Sequence, residues 1–211
     1  FQGPHGGLGI PFDEHGAKAM SGSDELAAHA TSGSGDVGQT RRVQLARPIA
    51  WQNPGDKKNW CWAVGLAALH DYFGAREDLL SVVQRTYPNG DDASATAVQF
   101  KASIRKPIVQ GRRLTLKDVP GVVAGEELPR VVRETMWFEL TQDRPVVVST
   151  NEVHMRIVTG LYRDRDGTVA EADISDDRST LRVGPEFFVG WKAGMIGRRI
   201  SGLWIVRWEP A

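Results

Sequence analysis

Asn59-Trp60-Cys61-Trp62-Ala63-Val64 carries the only cysteine of the 211-residue chain and opens an apolar, helix-like run that extends to Leu69. A thiol at a helix start sits where unpaired backbone N–H groups and the helix dipole favour the thiolate, its reactive form. Far downstream comes Arg144-Pro-Val-Val-Val-Ser-Thr-Asn-Glu-Val-His154-Met-Arg-Ile-Val-Thr-Gly160. It reads as a strand, a short turn and a second strand with a histidine at its start. One cysteine with a distant histidine on a strand is the layout of a nucleophile and its base.

Around these two segments the chain divides by composition. Phe1-Gln2-Gly3-Pro4 match the end of a viral 3C protease cleavage site, so residues 1–5 read as a tag remnant. Residues 6–42 are rich in Gly, Ser, Ala and Asp, with Ser21-Gly22-Ser23 and Ser32-Gly33-Ser34-Gly35, and read as a linker or pro-segment. Residues 43–211 are domain-like, long enough for one sizeable core. Val43–Trp51 is an extended lead-in, and helices are expected over Cys61–Gly74, Arg76–Thr86, Ala93–Ile104 and, with a break, Leu128–Gln142. Asn59 is expected to cap the first helix, and Leu79, Leu80, Val83 and also Val82 to face inward from the second. Strands are expected over Pro145–Thr150, Met155–Tyr162, Val169–Ile174, Thr180–Val183 and Leu203–Trp208, with Arg163–Gly167 as a hairpin turn. Helices first and an antiparallel sheet last define an α+β class.

Composition excludes several functions. Lysine plus arginine and aspartate plus glutamate both number 26, so zero net charge gives no bulk case for nucleic acid or an anionic membrane surface as partner. A single cysteine excludes an intrachain disulfide and a cysteine-rich zinc site, and the chemistry expected needs no cofactor or metal.

The catalytic candidates follow from position. Cys61 is the candidate nucleophile and His154 the candidate general base. His70 lies nine positions after Cys61 on the same helix, about 13 Å away by helical rise, and cannot reach the thiol. A third group should accept the other imidazole N–H. Asp173 is expected in that role from the strand that follows the Arg163–Gly167 turn, with Asp176 and Asp177 as rivals. Gln52 is the candidate oxyanion donor beside the Cys61 N–H. The helix start and a neighbouring histidine, with Lys57 and Lys58 nearby, predict a thiol pKa below the ordinary value of about 8.5.

Taken together, Gln52…Asn59-Trp-Cys61-Trp-Ala, Arg144-Pro-Val-Val-Val…His154-Met-Arg-Ile-Val-Thr-Gly160 and Val169-Ala-Glu-Ala-Asp173 resemble papain-like cysteine peptidases. The groups most alike are the avirulence-type effector proteases of plant-pathogenic bacteria and the double-glycine, bacteriocin-processing peptidases. The resemblance spans about Ile49 to Ile174. It departs from the family pattern where Met155 follows the histidine, where Ile174 follows Asp173 and where the loop from Gln52 to Cys61 is long. It implies a papain-like fold, with the cysteine-bearing helix packed on a C-terminal antiparallel sheet. It also implies hydrolysis of a protein or peptide substrate through Cys61, His154 and Asp173, and a bacterial effector or toxin module that is secreted or delivered into a target cell. The same triad supports acyl transfer or deamidation, and a drifted triad leaves a binding module.

Overall fold

Val146, Val147 and Val148 are all fully buried. Successive residues of a strand point to opposite faces, so a run of this kind demands a sheet covered on both sides. The computed structural model supplies those two covers. It describes residues 41–104, 112–150, 154–190 and 198–210, with 192, 194 and 195. The expected tag remnant, and the linker apart from Arg41 and Arg42, lie outside the described residues.

Among the described residues seven antiparallel strands form the sheet: β1 (Arg42–Gln44), β2 (Arg112–Asp118), β3 (Val146–Thr150), β4 (His154–Arg163), β5 (Val169–Ser175), β6 (Thr180–Val183) and β7 (Ile200–Pro210). Their order is β2-β7-β3-β4-β5-β6, and β1 pairs with the end of β4, Gln44 opposite Gly160. On one face lie α1 (Cys61–Tyr72), α2 (Leu79–Gln84) and α3 (Ala97–Ile104), whose Leu66, Leu69, Val82, Val83 and Phe100 pack with Val147, Met155, Ile157 and Val206. On the other face α4 (Arg130–Thr141) brings Val132, Met136 and Leu140 against Val146, Val148, Val158 and Ile174. The class is therefore α+β, as the sequence predicts, with the late helix on the far side of the sheet from the early ones.

Several local expectations change. The α4 helix is unbroken. The α2 helix is short because Asp78 caps it, its carboxylate accepting from Ser81 N at 3.0 Å. That start turns Leu79, Val82 and Val83 inward and leaves Leu80 45% exposed. The turn after β4 is built as expected: Asp164 Oδ1 accepts from the N–H groups of Asp166 and Thr168, and Gly167 takes a φ of +84°.

The contact that matters most for the site is between α1 and β4. A Cβ at Gly65 would stand 2.7 Å from Met155 Sδ and 2.8 Å from its Cε, so the helix lies against the strand at a separation only glycine permits without movement. Gly65→Val is expected to lower stability by about 1–3 kcal/mol through overpacking, read as a shifted denaturation midpoint. Gly65→Ala should cost less, because only the flexible Met155 tip must move and alanine favours the helix. A wild-type midpoint for the valine variant would contradict this.

Candidate active site

Cys61 is the first residue of α1. The helix after it is buried almost throughout, from Trp62 to His70, so packing against the sheet fixes its start. The residues on either side of the thiol are held by one loop. Trp60 Nε1 donates to Asp91 O at 2.9 Å and Trp62 Nε1 to Ala93 O at 3.1 Å. The Asp92 carboxylate accepts from the main-chain N–H groups of Lys58 and Asn59. Asn59 does not cap the helix as expected; its amide donates to Asp92 O, and Trp60 occupies the cap position without a side-chain capping hydrogen bond. The N–H groups of Cys61 and Trp62 bear on the Cys61 sulfur instead.

His154 opens β4, and the next residue brings the two halves of the site together: the main-chain N–H of Met155 hydrogen-bonds to the Cys61 sulfur. The strand that packs its Met155 side chain on Gly65 thus brings the main chain next to His154 to the helix start. His154 Nε2 lies 3.2 Å from Asp176 Oδ2. Asp176 is 4% exposed and fully engaged. Its Oδ1 accepts from Arg178 N at 3.0 Å and Ser179 N at 2.9 Å, and its Oδ2 also meets Arg156 Nη2 at 3.1 Å.

Asp173, the expected orienting group, is placed elsewhere. It pairs with Gly160, at the far end of β4 from His154, about six residues or 20 Å along the strand. Its carboxylate accepts from Gln44, Arg182 and Tyr162. A strict count back from the turn, where Arg163 pairs with Val169, already carries the level of His154 past Asp173 to the residues after β5. Gln52 also acts away from the thiol. Its Nε2 donates to Glu77 O at 2.6 Å and its Oε1 accepts from Leu79 N at 3.2 Å, which ties its loop to the start of α2. His70 is buried at the far end of α1, its Nδ1 2.7 Å from Glu77 Oε2.

Electrostatics reverse one expectation. Burial pushes the Cys61 thiol above its ordinary value, and the nearby Asp177 carboxylate adds to this; the Met155 N–H opposes them without prevailing. Burial also lowers His154, helped by the Arg156 cation and opposed by Asp176. Asp176 stays below the usual carboxylate range: burial works against its charge, and the Arg178 and Ser179 N–H groups with Arg156 outweigh it. Both directions favour the uncharged forms, thiol and neutral imidazole. A cleft of about 520 Å³ adjoins the acid, lined by Ile49, Trp51, Ser175, Asp176, Asp177 and Thr180 among others. His154, Asp176 and Asp177 offer ligand atoms within 4.8 Å of one another that could hold a metal ion, but the Arg156 guanidinium on the same carboxylate opposes a cation there.

No protein-family model and no curated protein matches the chain. Among solved structures, UfSP from C. elegans superposes with a TM-score of 0.53 at 13% identity, over 89% of this chain and 37% of that one. The fold is papain-like. Weaker superpositions join it. A double glycine motif protease from an AMS/PCAT transporter, in complex with its leader peptide, gives 0.47 at 17% identity over 82% of this chain and all of that one. The peptidase domain of Streptococcus ComA gives 0.42 at 12% identity over 80% and 99%.

Asp176 was one of three acids the sequence left in contention. Its distinguishing signal is the Asp176-Asp177-Arg178-Ser179 run, an Asx-type turn that fixes its first carboxylate oxygen. Arg156 carries a signal of its own, a charged residue inside the apolar run of β4. For the neutral pair, iodoacetamide alkylation of Cys61 should rise only at or above the ordinary thiol value of about 8.5. An alkylation midpoint well below it would show a resting thiolate.

Proposed function

We propose that the chain is a cysteine peptidase acting through Cys61, His154 and Asp176. The observation that carries this reading is the Met155 main-chain N–H on the Cys61 sulfur, one residue after His154, together with His154 Nε2 3.2 Å from Asp176 Oδ2. With Nε2–H donated to Asp176, Nδ1 remains as the base. As Cys61 sulfur attacks the scissile carbonyl, its proton passes to Nδ1, and the imidazolium formed is stabilised by the ionised Asp176. The Cys61 main-chain N–H, a donor in the first turn of the helix, is the group proposed to hold the oxyanion. Collapse of the tetrahedral intermediate expels the amine, which takes the Nδ1 proton, and leaves a thioester. Water, losing a proton to Nδ1, then attacks the thioester; the acid is released and the thiol restored.

Low-identity likeness supports the fold, and the site geometry supports the chemistry. The substrate proposed is a protein or peptide, and the catalytic unit is assigned to residues 43–211, with β1 starting one residue earlier at Arg42. Residues 6–42 are proposed as a linker or pro-segment. A chain lacking residues up to Gln39 should keep its melting temperature; raised peptide turnover would mark a pro-segment, unchanged turnover a linker, and large destabilisation would contradict both.

The test of the activity is cleavage of a peptide library followed by mass spectrometry, with ammonia release measured in parallel. Cys61→Ala should abolish cleavage. Asp176→Ala should lower kcat/KM by about 10–10⁴-fold, within the range seen for orienting groups. Asp173→Ala should leave turnover near wild type and act on stability instead. Cleavage that survives Cys61→Ala, or a larger loss from Asp173→Ala than from Asp176→Ala, would overturn the assignment. Ammonia release without peptide cleavage would point to deamidation by the same thiol.

A further inference from the structure

Arg156 lies two residues after His154 on β4, so strand alternation sends both side chains to one face. It is 8% exposed. Its Nη2 reaches the same Asp176 oxygen that meets His154 Nε2. Among the described residues its Nε and Nη1 are buried with no hydrogen-bond partner. A buried cation left partly unpartnered works against folding, and an apolar residue, like Val158 on the same face, would pack there at lower cost. The fold gains least from this arginine as packing, and the contact it does make is to the acid behind the imidazole.

We propose that Arg156 is a positioning residue of the site, holding the Asp176 carboxylate in the plane from which Oδ2 meets His154. This rests on the peptidase reading above. Two main-chain N–H groups grip one oxygen of Asp176; Arg156 and His154 share the other. Without Arg156 the carboxylate can pivot about its Oδ1 contacts, and His154 loses the direction of its ring. The titratable and charged groups facing the guanidinium come from every side: Asp176 and Asp177 after β5, Arg198 before β7, Cys61 at the start of α1 and His154 on its own strand. As a cation beside the imidazole it also disfavours a second proton there, which keeps His154 a competent base at lower pH.

Arg156→Gln and Arg156→Lys separate the two contributions, because lysine keeps the charge and loses the planar fork. In the glutamine variant kcat/KM should fall by about 10–100-fold, the range for groups that orient another functional side chain. Its acid limb should move to higher pH, and the melting temperature should stay level or rise. Lysine should hold the acid limb near wild type and recover part of the rate. Titration of the His154 ring by NMR reads the same shift without any substrate, so it stands even if no peptide is cleaved. An unchanged His154 midpoint in Arg156→Gln would overturn the proposal. So would wild-type kcat/KM, or a loss of rate matched by a loss of melting temperature with the acid limb unmoved. If the glutamine variant does not fold, a lysine variant with wild-type kcat/KM, hence no need for the fork, would equally overturn it.

Discussion

The close approach of α1 to β4 at Gly65 is the constraint on which the site depends. Cys61 and His154 are 93 positions apart in the chain, and neither local element has any reason to find the other. What joins them is apolar burial: α1 offers Leu66 and Leu69 to the sheet face that presents Met155 and Ile157. The missing side chain at Gly65 lets Met155 lie flat on the helix. That sets the Met155 N–H on the sulfur, and the residue before it is the histidine. Chemistry at this site is therefore a by-product of helix-on-sheet packing, and its precision is inherited from the core.

The acid behind the imidazole is a second, electrostatic constraint. Burying a carboxylate costs several kcal/mol unless its oxygens are fully partnered. Asp176 meets that demand with two main-chain N–H groups, an arginine and the histidine. The same burial that strengthens these contacts raises the thiol and lowers the imidazole, which in the proposed mechanism leaves both groups uncharged until the thiol attacks. Loss of Asp176 leaves Arg156 and His154 facing each other across a buried gap, which gives the acid a structural as well as a chemical share.

Much of this was legible in the sequence. The apolar run after Cys61, the Pro-led valine strand and the turn at Asp164–Gly167 point to the helix, the central strands and the hairpin, because each signal is local. The acid was harder. Asp173 alternates correctly within its strand, but facing is not level: a count back from the Arg163–Val169 pair carries the level of His154 past the end of β5, and the two register shifts in the ladder cancel. Gln52 escapes the sequence for a similar reason: its role as a tie to Glu77 and Leu79 depends on where a later helix begins. The thiol pKa runs opposite to expectation because a helix start is visible in sequence and desolvation is not. Arg156 stood in plain view as a charge inside a buried strand; its partner, twenty positions on, did not.

The central proposal is that helix–strand packing brings the Cys61 sulfur within reach of the imidazole of His154. The most direct measurement is the separation of Cys61 Sγ from His154 Nδ1 in a crystal structure of the active protein, where proton transfer needs about 3 Å and resting enzymes are often looser. A separation of roughly 3–4 Å, with Nε2 on Asp176, is expected. A separation beyond roughly 8 Å, or an imidazole turned to Asp173, would contradict it.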